Sequence, residues 1–289
     1  MKIKSFLSRG FRYIVKGVPI INTTANIVEL SPTQLLANRT ALVTGGTKGI
    51  GYEIAKSFLK AGANVIITGR DLARINNASN SLKEVTNCDR IAGLTLNNLD
   101  VDSFHNKIEE AIAIFGRIDI LVNNAGVLTY DTISTENEVQ YDKVLETNLK
   151  GPFFLSQQVG KYMIEKKIKG NILNVGSSSC LRPALSAYTL SKWGIRGLTL
   201  GLARGLAPYG ITVNGIAPGQ TLTDMVPNRD KIESIYRDNI PLGRYIMPNE
   251  IANMAVILVS EMGRAIMGDI VYMTGGAGIL TYEDIINKF

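Results

Sequence analysis

The sequence predicts an α/β protein built on one doubly wound sheet of about seven parallel strands, with helices on both faces. Three observations predict it. Short runs rich in β-branched and apolar residues recur from residue 40 onward. Longer stretches with helical spacing separate them, and most runs end in Gly, Asn or Ser. Runs that are apolar throughout suit parallel strands buried on both faces, and their alternation with helices suits βαβ units. Right-handed crossovers then place helices on each side of the sheet.

The strands read in order as "TALVTGG", "ANVIITG", "RIAGLTL", "IDILVNNAG", "GNILNVGS", "GITVNGIAPG" and "GDIVYMTGG". Between the first two lies "GYEIAKSFLKAG", which puts Ile54, Phe58 and Leu59 on one helix face. After the second, Asp71 is positioned to cap a helix beginning "LARINNASNSL". No linker interrupts residues 39–289, so this span reads as one domain preceded by an extension, residues 1–38.

Composition narrows the function. The net charge is +6, but residues 1–16 hold Lys2, Lys4, Arg9, Arg12 and Lys16 and no acid. The remainder has 26 basic and 25 acidic residues, which gives no broad basic field for nucleic acid. Two cysteines, Cys88 and Cys180, make no disulfide framework, and a reducing, cytoplasmic setting is expected. With His105 the single histidine, neither a Ser-His-Asp triad nor a zinc site is expected. No apolar run is long enough to span a membrane, and no cleavable secretory signal is expected. In "MKIKSFLSRGFRYIVKGV" the apolar residues share a helical stripe. Such a basic amphipathic helix over residues 1–18 can contact an anionic membrane surface, pack on its own domain or a partner subunit, or serve as a transit peptide.

Ligands on open parallel sheets bind at the carboxyl ends of the strands. "TGGTKGIG" (Thr44–Gly51) follows the first strand and opens the first helix. Gly45, Gly49 and Gly51 let the backbone approach a diphosphate, and the N–H groups of Thr47, Lys48 and Ile50 lie where a helix start favours an anion. At the end of the second strand, an acid would bind the ribose hydroxyl of NAD and an arginine the 2′-phosphate of NADP. Arg70 stands there with Lys48 nearby, so NADP(H) is expected over NAD(H).

These motifs, followed by "NNAG", a Ser-Tyr-Lys set and "PGQTLTDM", resemble the short-chain dehydrogenase/reductase family over roughly residues 39–278. Within it the chain is most similar to the 3-oxoacyl-carrier-protein reductase branch, as in "VNGIAPGQTLTDM" and "MTGGAG". The resemblance implies a Rossmann-like fold and a dimer or tetramer. It implies adenine contacts from Asp100 and Val101, and cofactor contacts from Asn123, Ala125 and Gly126. Pro218, Gly219, Thr221 and Thr223 would close over the nicotinamide. Ser177, Tyr188 and Lys192 would be catalytic, with Lys192 also holding the cofactor ribose, and Asn148 would hold a water in a proton relay.

The chemistry fits these residue types. Ketone reduction needs a proton on oxygen as hydride reaches carbon. A free tyrosine, with a pKa of about 10, is a weak acid at neutral pH. A lysine four residues on shares its helix face, and its charge, with that of the oxidised nicotinamide, is expected to favour phenolate and lower that pKa. The spacing Y-x-x-x-K also occurs at Tyr52/Lys56 and Tyr162/Lys166. Only Tyr188/Lys192 follows a serine at a strand end, where Ser177, rather than Ser178, is first past "NILNVG".

The expected activity is NADPH-dependent reduction of a ketone to a secondary alcohol, on a small-molecule or acyl-thioester substrate of 3-oxoacyl type. The alternatives are a keto sugar or cyclic ketone as substrate, or a non-catalytic NADP-binding regulatory or scaffold protein. Two departures from the carrier-protein reductases bear on substrate. The Ser177–Tyr188 segment is short, and Tyr209 stands before "GITVN" where a basic residue is usual.

Overall fold

A computed structural model describes residues 32–226 and 235–281. All seven expected strands form: β1 (Thr40–Val43), β2 (Asn64–Gly69), β3 (Ile91–Thr95), β4 (Ile120–Asn123), β5 (Asn171–Val175), β6 (Thr212–Pro218) and β7 (Ile270–Met273). They pair in parallel in the order β3-β2-β1-β4-β5-β6-β7. The helices are α1 (Gly49–Lys60), α2 (Leu72–Thr86), α3 (Phe104–Phe115), α4 (Glu138–Leu145), α5 (Gly151–Glu165), α6 (Ala187–Leu206) and α7 (Pro248–Val259).

Strand alternation sorts the core into two layers. Ala41, Val43, Val65, Ile67, Ile120 and Val122 face α1, α2 and α7 through Ile54, Phe58, Ile75 and Ile251. Leu42, Ile66 and Leu121 face the other way, onto Phe104 and Ile108 of α3 and Leu155, Val159 and Met163 of α5. Both faces of each central strand are therefore covered, which is why the runs are apolar throughout instead of alternating with polar residues.

Local signals set the helix ends. The Asp71 side chain accepts from Arg74 N–H at 3.0 Å, as expected of the α2 N-cap. Ser186 caps α6 by accepting from Thr189 N–H at 3.2 Å. Gly116 closes α3 with a φ of 79°, in the left-handed region open to glycine. Between α4 and α5 the chain widens into a π-helical turn, Glu146–Lys150. Pro152 explains it: proline has no N–H to give to the Asn148 carbonyl four residues back, and its ring crowds that carbonyl. Gly151 N–H instead reaches five residues back to the Glu146 carbonyl.

The amino ends of the strands carry a polar network. Arg39 hydrogen-bonds the Val259 and Asp119 carbonyls and the Asn171 side chain, and Asn171 donates to Thr212. Burial lowers the Arg39 pKa, and Asp119 opposes that shift. Asp119 accepts from Thr40 N–H at 3.0 Å and from Arg117.

Residues 32–38, expected in the extension, include one that packs into the core. Leu36 is fully buried there, and its N–H donates to the Ala61 carbonyl at 2.8 Å. The amphipathic helix expected over residues 1–18 lies outside the described residues. No described helix is long and apolar enough to cross a membrane.

Asp119→Ala strands the buried Thr40 N–H and releases Arg117. The expected loss, read as a shift in urea midpoint with unchanged slope, is about 2 kcal/mol.

Candidate active site

The sheet order reverses between β1 and β4, so the chain leaves these two neighbouring strands in opposite directions. The crevice between them opens into a cleft of about 600 Å³. Gly45, Thr47, Lys48, Gly49 and Ile50 line it from β1, and Arg70 from β2. Asn124, Ala125 and Gly126 line it from β4, and Ser177, Tyr188 and Lys192 from β5 and α6. Pro218, Gly219, Thr221 and Thr223 close it from β6. From β2 to β5 is three strand spacings, roughly 14 Å, which separates Arg70 from Ser177 along the sheet edge.

The glycine loop is shaped for close approach. A Cβ on Gly45, whose φ is 64°, would lie 2.9 Å from Ala125 Cα. A Cβ on Gly51 would lie 2.4 Å from Asn124 Nδ2 and 2.5 Å from the Gly45 carbonyl. Gly51 therefore sits behind the loop and lets it lie against β4, and it does not itself line the cleft. The α1 N-cap is Lys48, whose side chain makes no capping hydrogen bond, so no side-chain oxygen from the cap takes the first-turn N–H groups. This glycine cradle and open helix start fit the diphosphate of a dinucleotide.

Several residues depart from expectation. Asp100 and Val101 do not line the cleft; Leu96, Asn97 and Asn98 do. β3 ends at Thr95, so the residues just past it face the crevice, whereas Asp100 precedes a short 3-10 turn and Val101 packs against the helical core. Asn123 is buried below the cleft, donating to Ser156 Oγ and Asn174 Oδ1, both at 2.8 Å. The cleft residue is its neighbour Asn124, whose Nδ2 donates to the Thr44 and Gly45 carbonyls. Arg74 also lines the cleft beside Arg70. The signal for it was the Asp71 cap, because a residue in the first turn of α2 stays near the end of β2.

Asn148 stands in the π-helical turn and is buried. Its Oδ1 accepts from Val127 N–H at 2.8 Å, and its Nδ2 donates to the Val127 carbonyl at 2.9 Å and to Ser191 Oγ at 3.2 Å. The side-chain amide thus holds the cleft wall after β4 against α6, and both its N–H groups are already engaged.

The three Tyr/Lys pairs separate clearly. Tyr52 hydroxyl pairs with Ser81 Oγ at 2.8 Å, and Lys166 binds Glu165. Neither pair lines the cleft. Tyr188 does, together with Ser177, whose hydroxyl donates to Ser179 Oγ and accepts from Ser179 N–H, each at 3.1 Å. Ser178 is buried off the cleft. Lys192 Nζ lies 5.6 Å from the Tyr188 ring centroid and donates to the Val175 carbonyl at 3.0 Å.

The lowering of the Tyr188 pKa is expected from Lys192 together with the oxidised nicotinamide, and in the protein alone the phenol is shifted the other way. Burial pushes the phenol up, more than the polar Ser177 hydroxyl pulls it down. Burial also lowers Lys192 to about 8, so it remains mostly charged at neutral pH. Among the described residues no group of three or more His, Cys, Asp or Glu side chains could hold a metal ion.

A Gly-rich crevice ending in a Ser-Tyr-Lys set defines a Rossmann-like oxidoreductase that works on CH–OH/C=O groups with a nicotinamide cofactor. The short chain dehydrogenase family model matches residues 39–234, and the chain belongs to the short-chain dehydrogenase/reductase family. A 3-oxoacyl-(acyl-carrier-protein) reductase from Aquifex aeolicus is 35% identical over 246 residues, covering 83% of this chain and 98% of that relative. A 3alpha-hydroxysteroid dehydrogenase from Mediterraneibacter gnavus is also 35% identical, over 84% of this chain and 98% of its own length. Among solved structures, a variant of actinorhodin polyketide ketoreductase with NADPH superposes at a TM-score of 0.76. It is 30% identical and covers 83% of this chain and 97% of its own.

Lys192 carries a pH signature. Its folded pKa, about 8, lies below the ordinary lysine value of 10.5. Between these values the unfolded chain binds the extra proton, so stability gains from this group as pH rises. Urea unfolding from pH 8 to 10.5 should show wild type gaining on Lys192→Met. Parallel profiles for the two proteins would contradict the assignment.

Proposed function

We propose that this chain is an NADPH-dependent reductase converting a ketone to a secondary alcohol, with a 3-oxoacyl-type substrate. One observation carries the reading: Ser177 and Tyr188, with Lys192 Nζ 5.6 Å from the Tyr188 ring centroid, line the same cleft whose β2 side carries Arg70 and Arg74. Arg70, Arg74 and Lys48 would meet the 2′-phosphate, and the glycine loop the diphosphate. Asn97 and Asn98 replace Asp100 and Val101 as the proposed adenine contacts.

When bound, the cofactor supplies hydride to the carbonyl carbon and, once oxidised, a positive ring in the cleft. Tyr188 gives its proton to the carbonyl oxygen. Ser177 hydrogen-bonds that oxygen as charge builds on it. Lys192 places a positive charge near the phenol, favouring phenolate once the proton has left. It would also hold the cofactor ribose. Asn148 fixes the wall carrying Val127. With its amide engaged, any water it holds would be held by its backbone carbonyl, which Pro152 cannot satisfy.

Leu128, Tyr130, Met225, Val226 and Tyr245 also line the cleft, and the proposal seats the substrate among them. These favour an apolar acyl chain over a polyhydroxylated keto sugar. A cyclic ketone is the second reading, favoured by the hydroxysteroid dehydrogenase among the relatives and by the exposed Tyr209 where carrier-protein reductases tend to be basic. A homodimer or homotetramer belongs to this proposal, as the family resemblance implies.

Assaying NADPH oxidation against 3-oxoacyl thioesters, cyclic ketones and keto sugars tests the reading. Turnover is expected with the thioesters. Inactivity on every ketone despite NADPH binding would favour a regulatory or scaffold role. With the active substrate, Tyr188→Phe should lower kcat by about a thousandfold while NADPH still binds. Arg70→Asp should lower the NADPH-to-NADH preference by about tenfold, and an unchanged ratio would overturn the choice of cofactor.

A further inference from the structure

Glu136 lies outside the cleft lining, yet it joins two of the elements that shape the cleft. Its Oε2 accepts from Ala187 N–H at 3.2 Å, and its Oε1 accepts from Thr129 Oγ at 3.3 Å. Ala187 is the first residue of α6 and immediately precedes Tyr188. Thr129 follows Val127 and Leu128, which line the cleft after β4.

The amino end of α6 needs outside acceptors. The first N–H groups of a helix have no partner within it. Ser186 Oγ takes Thr189 N–H, and the Ser186 carbonyl takes Leu190 N–H. Ala187 N–H is left to Glu136. A carboxylate suits that place, because a helix start carries partial positive charge and charge-assisted hydrogen bonds are the stronger kind. Glu136 is itself held by its N–H, which donates to the Thr132 carbonyl at 2.8 Å.

We infer that Glu136 is a positioning residue for Tyr188: its carboxylate fixes the first turn of α6 against the cleft wall and so sets where the phenol meets the substrate oxygen. The Asn148 clamp ties Val127 to α6 at Ser191, one turn further along. Glu136 supplies the matching tie at the start of the helix. The inference rests on Tyr188 acting as the proton donor. Glutamine can keep both contacts, accepting from Ala187 N–H and donating to Thr129 Oγ, whereas alanine loses both.

The test compares Glu136→Gln, Glu136→Ala and Thr129→Val in the full chain. Glu136→Ala should lower kcat about tenfold, the scale of a small misplacement of a reacting group. Its NADPH dissociation constant should stay within about twofold of wild type, because the cofactor cradle is untouched. Glu136→Gln should keep at least about half of wild-type kcat. Thr129→Val should lower kcat alone but cost nothing further when added to Glu136→Ala. A second readout needs no turnover: in protein labelled with ¹³C at tyrosine Cζ, the resonance lost in Tyr188→Phe should move in Glu136→Ala and stay in place in Glu136→Gln. An unmoved Tyr188 resonance in a folded Glu136→Ala variant would overturn the inference. So would a kcat equal to wild type, or a loss of NADPH binding in step with activity. If wild type turns over no ketone, the proposed function fails, and the resonance still decides whether Glu136 places Tyr188.

Discussion

Thr44 sits where β1 and β4 part, and the site depends on what its hydroxyl does there. Thr44 Oγ donates to the Val122 carbonyl at 3.1 Å and accepts from the N–H groups of Asn124 and Ala125 at 2.9 and 3.0 Å. One buried side chain therefore satisfies two backbone N–H groups of the loop and adds a second bond to a strand carbonyl that already accepts from Thr44 N–H. Such groups would otherwise be costly to bury at a place where the sheet ladder ends. With the two loops fixed at this distance, Gly45 can pass over Ala125 without a side chain between them. The depth of the cleft follows from that contact, as does the start of α1 that faces it.

The two ends of the sheet are used differently. At the amino ends, Arg39, Asp119, Asn171 and Thr212 pair with one another and with backbone, so their polarity is spent on holding strands together. At the carboxyl ends, Ser177, Tyr188 and Lys192 are partly satisfied and face the cleft. Burying Lys192 opposes its charge, and burying Tyr188 opposes phenolate. The Val175 carbonyl, which accepts from Lys192 Nζ, recovers part of the cost of burying the ammonium group.

Most of the fold was legible in the sequence. The seven strands, the Asp71 cap and the exclusion of Tyr52/Lys56 and Tyr162/Lys166 all came from local pattern. The misplacements share a cause. Asp100 and Val101 were placed by motif order, but only the end of β3 at Thr95 shows that Asn97 and Asn98 face the crevice. Asn123 and Asn124 differ by one position, and strand alternation sends one below the sheet edge and the other into the cleft. Leu36 was assigned to an extension because its partner, Ala61, lies far along the chain.

By itself the sequence determined which segments become strands and helices, where the glycine loop falls, and which tyrosine follows a strand-end serine. These are local properties, written in periodicity and turn chemistry. Tertiary structure alone decided which strand ends meet. The order β3-β2-β1-β4-β5-β6-β7 brings Arg74, Asn97 and Asn124 to the cleft and leaves Asp100 out. It also brings Glu136 to the first turn of α6. Non-local packing sets that order and the electrostatics with it. A Tyr-Lys spacing foretells a shared helix face, but the burial that raises one pKa and lowers the other exists only once the surrounding strands have closed around the pair.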